Sequence, residues 1–172
     1  MDFNVLKPTA ENIKSTFEED LLSRNKDVLR MISLLQNISG GTSIALDAQW
    51  GAGKTFFVKQ VKMVLDAYND HIVGIEDSGK DTIKSICGKH YTLGNIEPFV
   101  SVYYDAWEND NDIDPMMSII YSIIAEANND YSVKTDYDFV KIASGIFELV
   151  TGRDVKYLIE SLRGEHPLEK IK

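Results

Sequence analysis

Residues 43–55 read SIALDAQWGAGKT, and this stretch decides which fold is expected for the chain. Its first six residues are a short apolar run with turn residues on both sides, which is typical of a buried strand. A glycine-bearing turn follows, and after it apolar residues recur on one helical stripe as far as residue 68. A strand, a glycine-rich turn and a helix in this order predict a phosphate-binding loop.

Each position of the loop has a physical task. The motif is a glycine, four residues and then Gly-Lys-Thr or Gly-Lys-Ser, and the chain departs from it at the first position, Ala48. Gly51 and Gly53 let the backbone adopt positive φ and approach phosphates without a Cβ clash. The loop N–H groups then form an anion nest at the positive end of the helix. Lys54 adds charge near the β- and γ-phosphates, and the Thr55 hydroxyl is suited to bind Mg²⁺.

Helical and strand patterns alternate along the rest of the chain. Apolar spacing predicts a helix from residue 21 to residue 38, and residues 99–104 indicate a second strand rich in β-branched and aromatic side chains. Residues 69–97 predict loops or short strands. Further helices are expected at residues 114–127, 137–150 and 155–162. The order predicts an α/β fold, a parallel sheet of the P-loop NTPase type with flanking helices, which is incomplete because only two strands are evident.

Composition limits the classes of partner. The formal net charge is −9, which disfavours general binding to nucleic-acid backbones. The lone cysteine, Cys87, excludes an intrachain disulfide and fits a reducing compartment. The longest apolar stretches, residues 116–127 and 139–150, are too short and too polar to span a bilayer, and no signal peptide is evident. We therefore expect a cytoplasmic protein with no transmembrane segment.

Tryptophans and an arginine accompany the loop at characteristic places. Trp50 directly precedes residues 51–55, residues 20–24 end in Arg24 and lead into a helix, and residues 102–108 end in Ala-Trp-Glu. In these features the chain resembles the KAP family of P-loop NTPases, with its tryptophan-containing Walker A motif. The resemblance implies an ATPase domain of the additional-strand class, which is found in bacterial defence and in membrane-associated proteins.

One part of that family's pattern is missing from the sequence. Family members continue into a Walker B strand, an apolar run ending in two acidic residues that hold Mg²⁺ and activate water, and no such run follows residue 150. The resemblance therefore implies an N-terminal arm at residues 1–20 and a KAP-like domain at residues 21–172 that is truncated before Walker B. It also implies ATP as the nucleotide, with Mg²⁺.

The candidate site extends over the loop and beyond it. The candidate cofactor-binding residues are Trp50, Gly51, Ala52, Gly53, Lys54, Thr55, Phe56 and Arg24. For Arg24 a surface salt bridge is the equal alternative to a nucleotide contact. Thr55 is the candidate Mg²⁺ ligand, and Asp105, which ends the second apolar run, is a further candidate for the metal. Capping or turn formation is the commoner use of such an aspartate.

Three functions remain open on the sequence. The leading hypothesis is an ATP-binding switch in which hydrolysis is weak or needs missing parts. A small P-loop kinase is an alternative, although the four arginines form no cluster after the second strand. A non-catalytic interaction module with a vestigial P-loop is the third. In each case a protein partner or self-association would cover incomplete sheet edges.

Overall fold

Four helices organise the part of the chain that the computed structural model describes, which is residues 7–70, 72, 76–90, 96–110, 115, 118–120, 122–123 and 148. In chain order they are α1 (Ala10–Glu18), α2 (Asn25–Asn37), α3 (Lys54–Tyr68) and α4 (Asp77–His90). The chain divides into two compact units, Met1–Tyr103 and Tyr104–Lys172, and the four helices belong to the first. Within the described ranges, no helix is both long and apolar enough to cross a membrane.

α1 begins at a capping threonine and ends where the backbone turns left-handed. The Thr9 hydroxyl accepts a hydrogen bond from the Asn12 N–H at 3.2 Å, which satisfies a donor of the first turn. Ile13 and Phe17, one turn apart, form its buried face. Asp20 follows with a φ of +47°, a conformation that cannot continue a right-handed helix. Because Phe17 is fully buried, this N-terminal segment packs into the core.

α3 lies at the centre of the first unit, because it contacts α1, α2 and α4. Its buried residues are spread around the helix, as contact with three neighbours requires. One core cluster joins the four helices: Phe17, Val28, Leu29, Ile32, Val61, Val64, Leu65, Ala67, Ile83 and Cys87. The helices predicted after residue 21 and after the loop are thus confirmed as α2 and α3.

The predicted α/β fold with a parallel sheet is wrong for the described residues. Residues 43–48 are neither helix nor strand and all are exposed, including Ile44 at 40% and Leu46 at 39%. A strand exists only when a neighbouring backbone completes its hydrogen-bond ladder, and an apolar run indicates burial without identifying that neighbour. Ile72 is the one β-bridge residue in the described part, which is helical and has no sheet.

The second predicted strand, residues 99–104, is also absent, and α3 side chains bond to its backbone. Asn69 Nδ2 donates to the Phe99 carbonyl at 2.8 Å, and Lys62 Nζ donates to the Ser101 carbonyl at 3.1 Å. These carbonyls accept from polar side chains of α3 and its C-cap instead of from a ladder. The segment is therefore held by long-range contacts that its own β propensity does not reveal.

α4 lies within residues 69–97, for which the sequence predicted loops or short strands. That prediction is wrong from Asp77 to His90. Gly79 and Gly88 weakened the helical signal, because glycine has a low helix propensity. Packing of α4 on α3 outweighs that preference.

The three helices predicted near the C-terminus lie almost entirely outside the described residues. From the first, residues 115, 118–120 and 122–123 are helical, with Ser118 and Ile120 buried. From the second, residue 148 alone is described, and the third lies outside the description altogether.

A buried lysine closes the C-terminal end of α3. Lys80 is 6% exposed, and its Nζ donates to the carbonyl of Asn69 at 3.3 Å and to that of Ile72 at 2.7 Å. Asn69 is the C-cap residue of α3. A cation at this end of a helix is favourable, because the last carbonyls carry partial negative charge.

Lys80→Met should therefore lower the free energy of unfolding by about 1–3 kcal/mol, since it leaves buried carbonyls without their donor. Lys84→Met is the matched control on the same helix. Lys84 pairs with the exposed Asp70 at 3.4 Å, so its loss should cost less than about 1 kcal/mol. Urea unfolding measures both variants, and equal losses would contradict the assigned role of Lys80.

The thiol of Cys87 and the phenol of Tyr68 lie together at the interface between α3 and α4. Burial raises the pKa of Cys87 to about 11, an effect that its hydrogen bond with Tyr68 partly offsets. Burial, together with repulsion from the Cys87 thiolate, raises the pKa of Tyr68 to about 12. Both groups are therefore neutral in the folded protein at pH values where the unfolded chain begins to ionise.

The free energy of unfolding should consequently fall as the pH rises from about 9 toward about 11, because the unfolded state loses the Cys87 proton first. Cys87→Ala should remove part of this fall. The stability difference between the wild-type protein and Cys87→Ala is thus expected to shrink between pH 7 and pH 10.5 in urea titrations. A difference that stays constant over this range would show that Cys87 does not titrate as described.

Candidate functional site

Two left-handed glycines shape the turn between residue 48 and α3. Gly51 and Gly53 both have a φ of +80°, and Gly53 is the N-cap residue of α3. The turn is closed by the Ala52 N–H, which donates to the Gln49 carbonyl at 3.2 Å. L-residues rarely adopt such φ values, so the turn depends on glycine at both places.

The N-terminus of α3 is not capped by a side chain. Gly53 has none to offer, and the first turn contains no acidic residue. The N–H groups of a first helical turn have no partner within the helix, and they carry the positive end of its dipole. Their exposed end is therefore suited to bind an anion.

Lys54 folds back over the loop. Its Nζ donates to the Ala48 carbonyl at 2.5 Å and to the Gln49 carbonyl at 3.2 Å. The ammonium group is thereby kept beside the residues that begin the motif. Because carbonyls are neutral acceptors, an anionic phosphate brought to this position would form stronger hydrogen bonds with the Lys54 ammonium group.

Arg24 reaches the same loop from the start of α2. Its Nη1 donates to the Ala52 carbonyl at 2.7 Å, across 28 residues of sequence. A Cβ placed on Gly53 would lie 3.2 Å from this nitrogen. The structure thus brings Arg24 to the loop, as a partner of its backbone.

A cavity of about 290 Å³ opens beside these groups. Its lining residues are Arg24, Asp27, Leu46, Asp47, Ala48, Ala52, Lys54 and Phe57. Sequence reasoning did not name Asp27, Leu46, Asp47 and Phe57 as candidate site residues. Asp47 could have been found from the sequence, because it is the one charged residue of the apolar run 43–48 that precedes the loop. Asp27 carried no such signal, since it depends on how α2 is placed.

The other expected loop residues differ in exposure. Trp50 is 89% exposed, and Thr55 is also exposed at the start of α3. Phe56 is only 9% exposed, so a ligand could meet its main chain but hardly its ring. The expected ligand roles of these three residues stay predictions.

Asp105 belongs to the second unit, where it organises a local turn. Its Oδ1 accepts from the Trp107 N–H at 3.0 Å, and its carbonyl accepts from Asn109 Nδ2 at 2.7 Å. This is the turn-forming use of an aspartate. Among the described residues, no group of three or more His, Cys, Asp or Glu is arranged to hold a metal ion. The metal role expected for Asp105 stays a prediction.

Alanine at Gly51 or Gly53 should destabilise the protein, because either variant must hold an L-residue at positive φ, at a cost of about 1 kcal/mol. Gly53→Ala should cost more, since its Cβ meets Arg24 whereas nothing lies within 4 Å at Gly51. Gly88→Ala is the control: it lies in α4 with nothing within 4 Å, and it should stabilise by about 0.5–1 kcal/mol. Thermal and urea unfolding give the order, and a Gly51→Ala loss as large as that of Gly53→Ala would contradict it.

The chain was compared with known protein families, curated proteins and solved structures. No curated protein and no solved structure matches the chain. The KAP family P-loop domain matches residues 24–161, a range that begins at Arg24 and includes the whole loop. Since this match covers well over half of the sequence, the chain belongs to the KAP family of nucleotide-binding P-loop domains.

Proposed function

We propose that the chain binds ATP, together with Mg²⁺, at the loop of residues 48–55. The observation that carries the proposal is the position of Lys54, whose ammonium group is held over the loop by two of its carbonyls. Beside it lie two left-handed glycines and an uncapped helix N-terminus. Groups of this kind collected in one turn favour a polyphosphate ligand.

The residues present suit that ligand. Main-chain N–H groups of residues 51 and 53–55 would hold phosphate oxygens, while the Ala52 N–H closes the turn, and Lys54 would exchange its carbonyl partners for the phosphate. The exposed Thr55 hydroxyl would contribute a ligand to Mg²⁺, which neutralises phosphate charge when bound. Lys54 and Arg24 bring two positive charges to the cavity, whose lining also contains the carboxylates of Asp27 and Asp47.

ATP binding would also act as a conformational switch. A ligand shifts an equilibrium only through contacts that differ between two states. The exchange of Lys54 from the Ala48 and Gln49 carbonyls to phosphate is such a difference, because it releases the start of the loop. We expect slow hydrolysis, since no apolar run ending in two acidic residues, which would hold Mg²⁺ and activate water, follows residue 150.

Calorimetric titration with MgATP tests the proposal on the wild-type protein, Lys54→Ala and Lys89→Ala. The wild type should bind, and Lys54→Ala should bind at least tenfold more weakly, because a charged hydrogen-bond donor is lost. Lys89 is an exposed lysine of α4, so Lys89→Ala removes the same charge away from the loop and should bind normally. Folded wild-type protein that binds no nucleotide, or a Lys54→Ala variant that binds as well, would refute the proposal.

Trp50 offers a second readout in the same experiment. The chain has two tryptophans, so Trp107→Phe leaves Trp50, which adjoins the loop, as the sole indole fluorophore. MgATP should change its emission in this background, and the added Lys54→Ala substitution should abolish the change at the same concentration. Titrations with MgGTP and magnesium tripolyphosphate then measure base selectivity, and phosphate release measures turnover.

A further inference from the structure

The side chain of Arg24 contacts the backbone of the phosphate loop at Ala52 and lies close to Gly53. Its Nη1 donates to the Ala52 carbonyl at 2.7 Å and lies 3.2 Å from the position that a Cβ on Gly53 would occupy. The hydrogen bond is charge-assisted and partly buried, so it is of the stronger class. Arg24 therefore holds the peptide unit that joins Ala52 to Gly53.

The orientation of this peptide decides where one loop donor points. A trans peptide is planar, and its C=O and N–H groups lie on opposite sides. With the Ala52 carbonyl directed at Arg24, the Gly53 N–H is directed away from Arg24. A nest of N–H groups binds an anion only while its members converge. Rotation of this one peptide would remove the Gly53 N–H from such a nest.

Arg24 is itself fixed by the corner between α1 and α2. The Asp20 carboxylate accepts from the Asn25 N–H at 3.1 Å, and the buried Asn25 Nδ2 donates to the Phe17 carbonyl at 2.7 Å. Asp20 and Ser23 have φ values of +47° and +50°, which non-glycine residues rarely adopt. The surrounding contacts overcome the strain of this conformation, which delivers Arg24 to the loop.

We infer that Arg24 is a positioning residue, which clamps the Ala52–Gly53 peptide so that the Gly53 N–H is preset for a phosphate. It acts through the loop backbone and does not touch the nucleotide. The clamp is a property of the nucleotide-free protein, whereas its effect on affinity rests on the proposed function. This role differs from the nucleotide contact expected from the sequence.

The clamp is tested first without ligand, by ¹⁵N relaxation of the Gly53 amide. The wild-type amide should have an order parameter near about 0.85, and in Arg24→Met it should fall below about 0.6. Arg24→Lys should give an intermediate value, because an ammonium group can donate to the same carbonyl. Arg30→Met is the matched control, since Arg30 lies on the same helix and pairs with Asp27 at 2.9 Å. It should leave the Gly53 amide unchanged.

Binding is then measured with MgATP, MgADP and magnesium tripolyphosphate. A preset N–H serves all three ligands, so Arg24→Met should weaken each of them by a similar factor of about ten, and Arg24→Lys by less. Loss confined to MgATP would mean a direct γ-phosphate contact and would overturn the inference. Unchanged tripolyphosphate binding beside weakened MgATP would mean a nucleoside contact and would overturn it as well.

The two proposals fail in distinguishable ways. If the wild type binds none of the three ligands but Arg24→Met still loosens the Gly53 amide, the clamp stands and ATP binding falls. If the amide is equally ordered in the wild type and Arg24→Met, the clamp is refuted whatever the affinities are. If Arg24→Met does not fold, the order parameter of the Gly53 amide is compared between the wild type and Arg24→Lys, and equal values refute the clamp.

Discussion

The left-handed conformation of Gly53 is the constraint on which both the core and the candidate site depend, because α3 begins there. α3 supplies the central contacts to the other three helices of the first unit, so the place where it starts sets the register of its buried face. The same residue leaves the first turn without a capping side chain and brings the loop backbone under Arg24. The start of the central helix and the shape of the candidate site thus both depend on one residue that has no side chain.

The two ends of α3 differ in whether side chains of the protein satisfy their backbone groups. At the C-terminal end, Lys80 donates to the carbonyl of the C-cap Asn69, so the negative end of the helix already has a cation inside the protein. At the N-terminal end no side chain caps the helix, and Lys54 increases the positive charge there. A helix that satisfies one end internally and leaves the other open directs its unbalanced charge at solvent. In an acidic chain, the attraction for an anion at this helix end is local, and the Asp27 and Asp47 carboxylates of the cavity lining oppose it.

The sequence predicted α2, α3 and the loop well, because the signals that define them are local. Apolar spacing at three and four residues reports a helical face, and the glycines report positive φ, which the structure confirms at Gly51 and Gly53. The predicted sheet was wrong because only part of what makes a strand, its apolar pattern, can be read from neighbouring residues. An apolar run such as residues 43–48 indicates a preference for burial, but strand formation depends on a partner far away in sequence. α4 was missed for the converse reason, since its two glycines hid a helix that packing on α3 supports.

The difference between local contacts and long-range partners also explains why the candidate site is formed although the described residues contain no sheet. Among the described residues, the loop is shaped by local contacts, such as that of Lys54 with the Ala48 carbonyl, and by the long-range bond of Arg24. The bond from Arg24 thus depends on the packing of α2 on α3, and no strand ladder flanks residues 43–48 among the described residues. Arg24 was named from the sequence without its partner, because a side chain that bonds to a main-chain carbonyl 28 residues away leaves no pattern of residue types at either end. The sequence can thus predict the loop that is proposed to bind the ligand, whereas the bond from Arg24 to the loop became visible only once the helices were packed.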